Sequence, residues 1–475
     1  MCSIVGINGQ NVKTQLLEMM SVLSHRGPDG QGIYSVNKIY LNDDIYDAID
    51  SNFMLGHNLL SIVGINELQP LFSNNLVLIS NAELYNYEIL INQYDINDLR
   101  TGSDCEVILK IIEYNYKGNL KEAVLKSINL FDGDYAFCIT DGSDYIVIRD
   151  DVGVKPIYYA INDNCFAFAS EQKALKKIGL TNVRNLKPTC MIFNDEIIEI
   201  RKEKVHGNYF KDYETAKNTL KKVIKESVSK RVHKLDNVAL LFSAGVDSTL
   251  IAILLKQLGV NVTLYTIGTE NSQDLKYAKK VAKDIDLPLK TRIINKDIIE
   301  ESFCPTIKTI EDTNLMKIGV GMIIKLTSQL AREDNHKVIL SGQGADELFA
   351  GYNRYKRKYN QPKELLIELD HDLNNIYDVN LERDDKATMS NSVELRVPFL
   401  DKNVIDTALK MPIDYLLDSE DDSIRKHILR DVAYELGVPK EIAYRPKKAA
   451  QYGTGIDKII KKKIIKKEPY NEILN

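Results

Sequence analysis

A chain of 475 residues is longer than one ordinary core organises, so two or three domains are expected. Hydrophobic residues at 44% and charged residues at 27% describe a globular protein, and a formal net charge of -5 provides no electrostatic footprint for a nucleic-acid partner. No apolar run reaches the ~18 residues that span a bilayer, and the N-terminus lacks a basic stretch followed by an apolar one. A cytoplasmic protein without a membrane partner is expected. The six cysteines, Cys2, Cys105, Cys138, Cys165, Cys190 and Cys304, lie far apart, with no CxxC or Cys/His cluster, so neither a zinc site nor a disulfide framework is indicated.

In chain order, SIVGI (3–7) reads as a strand and TQLLEMMSVLSHR (14–26) as a helix. LVLIS (76–80), YAFCITD (135–141), YIVIRDD (145–151), FAFASE (166–171) and MIFNDEIIEI (191–200) follow at hairpin spacing. Such alternating runs predict antiparallel sheets in an α+β domain over 2–200. A linker and leading helix occupy 201–234, with TLKKVIKESVSKRV (219–232) as the helical pattern. From 235 to 475 the period changes. NVALLFSAG (237–245), NVTLYTIG (261–268) and KVILSGQG (337–344) are continuous apolar runs followed by turns and helical segments, the pattern of a parallel α/β sheet covered on both faces. The C-terminal third reads as mostly helical, and its basic stretch DKIIKKKIIKKE (457–468) reads as a solvated helix face.

Two stretches carry chemistry in this second half. LLFSAGVDS (240–248) joins a buried strand to a Ser/Gly turn and a helix, whose unpaired N–H groups and dipole favour phosphate oxygens. No GxxxxGK[ST] pattern is present; the turn resembles the SGGxDS loop of ATP pyrophosphatase-type enzymes, which cut ATP between its α and β phosphates. SGQGADELFAGYNRY (341–355) follows another strand and carries Asp346 and Glu347 at the carboxyl end, where α/β sheets bind ligands. Mg²⁺ between Asp247 and an acid of this second loop would neutralise phosphate charge, because carboxylate and phosphate oxygens are the ligands it prefers.

The first half contains Cys2, SHRGPDG (24–30), QPLF (69–72), NAELYN (81–86), TGSDCE (101–106) and RDDVGVKPIYY (149–159), and the second adds NSVELRVPFLD (391–401) and RPKKAAQYG (445–453). In this order the motifs resemble the glutamine-hydrolysing asparagine synthetase family over nearly the whole chain. The resemblance implies an Ntn-hydrolase-type αββα sandwich, which is a class II glutamine amidotransferase domain, fused to an ATP pyrophosphatase-like synthetase domain. It also implies the reaction. Aspartate is adenylated on its β-carboxylate by ATP, ammonia from glutamine or solution attacks it, and AMP and pyrophosphate leave. Cys2, exposed by removal of Met1, becomes the nucleophile with its own α-amine as base. A thiol of ordinary pKa gains from a base held nearby. By the same resemblance, the Asn81 side chain and the Ala82 N–H form the oxyanion hole. Glu83 and Asp104 hold the glutamine α-ammonium, and backbone groups of Ser61, Ile62 and Val63 complete that pocket. Leu241, Ile267, Ser341 and Gly342 line the adenosine site; Ser243, Gly245, Asp247 and Ser248 hold pyrophosphate; Asp247 and Asp346 hold magnesium. Lys447 stabilises charge at the adenylation centre. The sequence leaves the oligomeric state open, with a homodimer among the assemblies it allows.

Several positions depart from the family pattern. In HxRLS an arginine clamps the glutamine carboxylate, whereas GHNLLSIVG (56–64) has Leu59 there. A charge-assisted pair is worth roughly 1.5–3 kcal/mol, so glutamine binding is expected to weaken unless another cation substitutes, with Arg26 as the candidate. The acid of SGEGADE is Gln343, which cannot exchange protons as a carboxylate does. Ala82 keeps the backbone donor of the usual glycine, and Ala244 suits the phosphate loop unless a positive φ is required there. Leu59 and Gln343 keep two alternatives open: a related ligase acting on another carboxylate, and a non-catalytic paralogue. Retention of Cys2, Asp247, Asp346 and Lys447 argues for an enzyme.

Overall fold

Along β1 (Ser3–Gly9) the side chains alternate between two cores: Ile4 packs with Leu55, Val77 and Ile79, while Val5 and Ile7 pack with Leu16, Met19 and Met20. That alternation places β1 between an inner sheet interface and an outer helix layer. The computed structural model describes residues 2–62, 68–446 and 455–460. It divides into two compact units, Met1–Lys202 and Glu203–Asn475.

The first unit has two antiparallel sheets. One combines β1 with β2 (Gly30–Ser35), β3 (Lys38–Leu41), β4 (Phe53–Leu59), β9 (Tyr158–Ile161), β10 (Cys165–Ala169) and β11 (Arg184–Asn185), in the order β11-β9-β10-β1-β4-β2-β3. The other combines β5 (Leu71–Ser73), β6 (Leu76–Leu84), β7 (Gly133–Thr140), β8 (Tyr145–Arg149), β12 (Cys190–Phe193) and β13 (Glu196–Glu199), in the order β13-β12-β8-β7-β6-β5. Helices Lys13–Val22 and Gln172–Lys177 cover the outer face of the first sheet; Asp104–Asn115 and Leu120–Ile128 cover the second. The unit is therefore a four-layer αββα sandwich, the architecture that the motif resemblance implies. The last two helices are missing from the sequence reading. Their N-caps, Ser103 and Asn119, accept from Cys105 N and Glu122 N, but the first helix buries Cys105 and Glu106 beside its aliphatic residues, which blurs the amphipathic period.

The second unit is built on five parallel strands, β14 (Asn237–Leu241), β15 (Asn261–Gly268), β16 (Leu289–Ile293), β17 (Val338–Leu340) and β18 (Glu394–Arg396), in the order β16-β15-β14-β17-β18. The chain moves outward from β14 to β16, then returns to the other side of β14 with β17. Strand order thus reverses between β14 and β17, where an open α/β sheet leaves a crevice beyond its carboxyl ends. The leading helix spans Tyr213–Arg231, beginning earlier than its apolar period because Asp212 caps it by accepting from Thr215 N. Its last residue, Arg231, is buried and donates to Asp401 Oδ2 at 2.8 Å, which fastens the helix to the segment after β18.

Candidate active sites

Cys2 immediately precedes β1, so the strand's pairing with β4 and β10 fixes its position. Its N–H donates to Asn81 Oδ1 at 2.9 Å, and its carbonyl accepts from Arg26 Nε at 3.3 Å. Cys2 is 7% exposed and Asn81 is fully buried. Nδ2 on the same Asn81 carboxamide is buried and has no hydrogen-bond partner among the described residues. A buried donor without an acceptor costs about 1–3 kcal/mol, so it needs a reason. Ala82 and Glu83 follow on β6, opposite Tyr135 and Asp134, both half-buried. Asp104 Oδ2 accepts from Leu84 N at 2.5 Å, which brings Asp104 to the end of β6 that carries Glu83.

Arg26 is not available as a carboxylate clamp. It is fully buried, and its NH1 donates to Glu171 Oε1 at 2.8 Å. Burial opposes the Glu171 charge, but Lys173, His25 and Arg26 hold its carboxyl well below the usual range. Arg26 and Glu171 therefore anchor the carbonyl side of Cys2, a role the SHRGPDG motif contains but its sequence does not disclose. Leu59, the last residue of β4, is buried, and its carbonyl accepts from Asp29 N at 2.8 Å. Ser61 N donates to Asp29 Oδ2 at 3.0 Å, so the segment after β4 is tied to the residues that lead into β2; Ile62 is half-buried, and Val63 lies outside the described residues. His57 is fully enclosed, with Nε2 3.2 Å from the Ser80 carbonyl, and burial pushes its imidazole down to about 3. Burial pushes the Cys105 thiol well up, which makes it a poor nucleophile beside Cys2.

In the second unit both loops of interest leave the ends of β14 and β17, flanking the crevice. After Leu241 the chain turns through Ser243, Ala244 and Gly245 into the helix Val246–Gln257. Ser243 is exposed, its Oγ 3.2 Å from Ser248 Oγ, so two hydroxyls converge at the helix N-terminus. Ala244 has φ +55°, so a positive φ is required at the position where alanine replaces glycine. Ile267 is buried near the end of the neighbouring β15. On the other side, Ser341 N donates to the Arg396 carbonyl at 3.0 Å, and Ser341 Oγ accepts from Gln343 N at 3.3 Å. Ser341, Gly342 and Gln343 are half-buried at the crevice. Gly344 has φ +93°, and a Cβ there would lie 2.5 Å from Leu400 Cδ2.

Asp247 and Asp346 are brought together through Lys426. Its Nζ is 2.9 Å from both oxygens of Asp247 and 2.7 Å from Asp346 Oδ1. Burial opposes its charge, yet the two carboxylates hold the ammonium above the ordinary lysine value. The two acids thus converge on one cation position with hard oxygen donors, which is the donor chemistry magnesium takes. Lys426 sits in SIRKHILR, where no motif marks it. Arg430, one turn on, is buried and donates to the carbonyls of Ile424, Arg425, Ala443 and Arg445. Lys447 lies outside the described residues.

Comparison with known proteins accords with these two units. The glutamine amidotransferase domain family matches residues 1–206, and the asparagine synthase family matches 219–371 and 367–466. A Methanocaldococcus jannaschii protein assigned as glutamine-hydrolysing asparagine synthetase 1 is 41% identical, covering 100% of this chain and 98% of its own. Asparagine synthetase B (glutamine-hydrolysing) of Escherichia coli strain K12 is 29% identical, over 96% of this chain and 83% of its own. The glutamine-hydrolysing asparagine synthetase of Rattus norvegicus is 29% identical, over 95% and 84%. The chain couples an αββα glutamine amidotransferase unit to a parallel α/β asparagine synthase unit. It belongs to the glutamine-hydrolysing asparagine synthetase family.

Proposed function

We propose that the chain makes asparagine from aspartate, glutamine and ATP at two centres. In the first, the Cys2 sulfur adds to the glutamine carboxamide carbon. The α-amine freed by removal of Met1 takes the thiol proton and passes it to the departing ammonia, and water then releases glutamate and restores the thiol. Asn81 Nδ2 and Ala82 N donate to the oxyanion, while Glu83 and Asp104 attract the α-ammonium, beside backbone groups of Ser61, Ile62 and Val63. The observation that carries this reading is the divided role of Asn81. Its oxygen holds the nitrogen of the nucleophile residue, and its buried Nδ2 has no acceptor among the described residues.

In the second centre the aspartate β-carboxylate attacks the α-phosphorus of ATP and pyrophosphate leaves. Ammonia then adds to the activated carbonyl, and AMP departs with its bond to the acyl carbon broken. Leu241, Ile267, Ser341 and Gly342 enclose the adenosine; Ser243, Gly245 and Ser248 donate to the pyrophosphate. Asp247 and Asp346 are suited to hold magnesium, which when bound neutralises phosphate charge. Gln343 orients the acceptor through its carboxamide, and Lys447 supplies charge at the reacting phosphate. No helix among the described residues is long and apolar enough to cross a membrane, and a thiol nucleophile suits a reducing, cytoplasmic setting. The test is product analysis with aspartate, glutamine, Mg²⁺ and ATP. Asparagine, glutamate, AMP and pyrophosphate are expected in equal amounts; ADP with phosphate, or AMP release independent of aspartate, would overturn the reading.

A further inference from the structure

Lys426 is fully buried, yet its ammonium lies where a metal ion bound by both Asp247 and Asp346 would sit, 2.9 Å from the first and 2.7 Å from the second. Its seat is built rather than incidental. Arg425 and Lys426 both adopt left-handed backbone, with φ 55° and 58°, a conformation that L residues hold only when their surroundings impose it. Arg430 fixes that turn through the carbonyls of Ile424 and Arg425. Room for the lysine stem exists only because residue 351 is glycine, where a Cβ would lie 2.2 Å from Lys426 Cε and 1.9 Å from Asp346 Oδ1. A divalent ion held by the same oxygens at about 2.0–2.1 Å would leave the ammonium within roughly 4 Å of it, an arrangement of like charges that cannot persist without added anions.

We infer that Lys426 is a resident cation that occupies the metal seat in the nucleotide-free protein, so that the divalent ion enters only together with the triphosphate, whose oxygens then receive the displaced ammonium. This rests on reading Asp247 and Asp346 as the metal pair. Until nucleotide arrives, the lysine keeps two neighbouring carboxylates neutralised and in place, and the bare ion gains little by binding.

Mn²⁺ alone, titrated into the full-length chain without nucleotide and followed by calorimetry and electron paramagnetic resonance, tests this. Lys426→Met is expected to bind one Mn²⁺ at least tenfold more tightly than wild type, and the gain is expected to vanish in Lys426→Met combined with Asp346→Asn. Lys426→Gln keeps a hydrogen-bond donor without the charge; it should show the same gain and serves where the methionine variant does not fold. Wild type binding Mn²⁺ as tightly as the variants, or a gain that survives Asp346→Asn, would overturn the inference. The titration needs no substrate, so its outcome is separate from aspartate-dependent AMP release by wild type, on which the proposed reaction stands or falls.

Discussion

By the motif resemblance Leu59 stands where an arginine would clamp the glutamine carboxylate, and Arg26 cannot replace that charge because Glu171 and the Cys2 carbonyl already engage it. The carboxylate is remote from the reacting amide, so its loss of binding is nearly uniform between ground and transition states. Ammonia is therefore expected to rival glutamine as nitrogen source. Leu59→Arg should lower the glutamine KM about 10-fold or more, equivalent to at least ~1.4 kcal/mol, with ammonia-dependent turnover unchanged. Steady-state kinetics with each donor check this, and an unaltered KM would show that another group clamps the carboxylate. His57 carries a second prediction at this scale. Its imidazole titrates near 3 in the fold and near 6.5 when unfolded, so below pH 6.5 the unfolded chain takes up a proton that the native one refuses. Native stability contributed by neutral His57 is complete above pH 6.5 and is lost as pH falls toward 3, with a slope of up to about 1.4 kcal/mol per pH unit. Denaturant unfolding at pH 6.5 and 5 should show that slope in wild type, and His57→Gln should reduce it.

Among the elements, the turn before the helix His427–Glu435 carries the most consequence. Two successive left-handed residues cost about 1–2 kcal/mol each, and the Arg430 guanidinium offsets this by gathering the carbonyls on either side of the helix. Through Ala443 and Arg445 the same group fixes the segment that leads toward Lys447. Arg430→Lys offers one point charge in place of a planar fork and cannot reach all four carbonyls. Aspartate-dependent AMP release should fall at least about 10-fold, while glutaminase activity, which resides in the other unit, persists. Equal loss of both would show a general folding defect instead. This region also marks the limit of what the sequence discloses. Strand-end motifs are local, so the Ser243–Ser248 turn and the Asp346 loop are legible as pieces. Lys426 meets Asp247 only through the tertiary fold, and nothing in SIRKHILR distinguishes its lysine from a surface one. The partnership of Arg26 with Glu171 is hidden for the same reason. Leu59, by contrast, stands out from sequence alone because a motif defines what is missing. The Asp104–Asn115 helix escapes notice because its buried Glu106 is satisfied by the backbone N–H groups of Arg100 and Thr101, a solution no hydropathy pattern displays.

At the scale of the whole molecule, Cys2, the proposed nucleophile, belongs to one unit and the paired Asp247 and Asp346 to the other. Cys2→Ala should abolish glutamine-dependent asparagine formation and leave ammonia-dependent formation within about twofold of wild type, since the thiol has no part in adenylation. Parallel assays with the two nitrogen donors decide this. Loss of both activities in a folded variant would mean that the two centres are not separate.

The position of β1 in its sheet has a consequence for biosynthesis. The strand is made first, yet it lies between β4 and β10, with Val5 paired to Gly56 on one side and to Ala169 on the other. A nascent chain therefore leaves one edge of β1 unpaired until β10 has left the ribosome, and in the finished fold Cys2 is 7% exposed. If the Cys2 amine is freed as proposed, an exopeptidase would have its easiest access before the sheet closes over Cys2, an interval that synthesis at about 5–20 residues per second leaves open for roughly ten seconds or more. Chain refolded with Met1 still attached should resist methionine aminopeptidase and lack glutaminase activity, whereas the same chain treated while denatured and then refolded should have it. Intact-mass measurement beside the glutaminase assay would show whether maturation of the nucleophile must be completed before the protein folds.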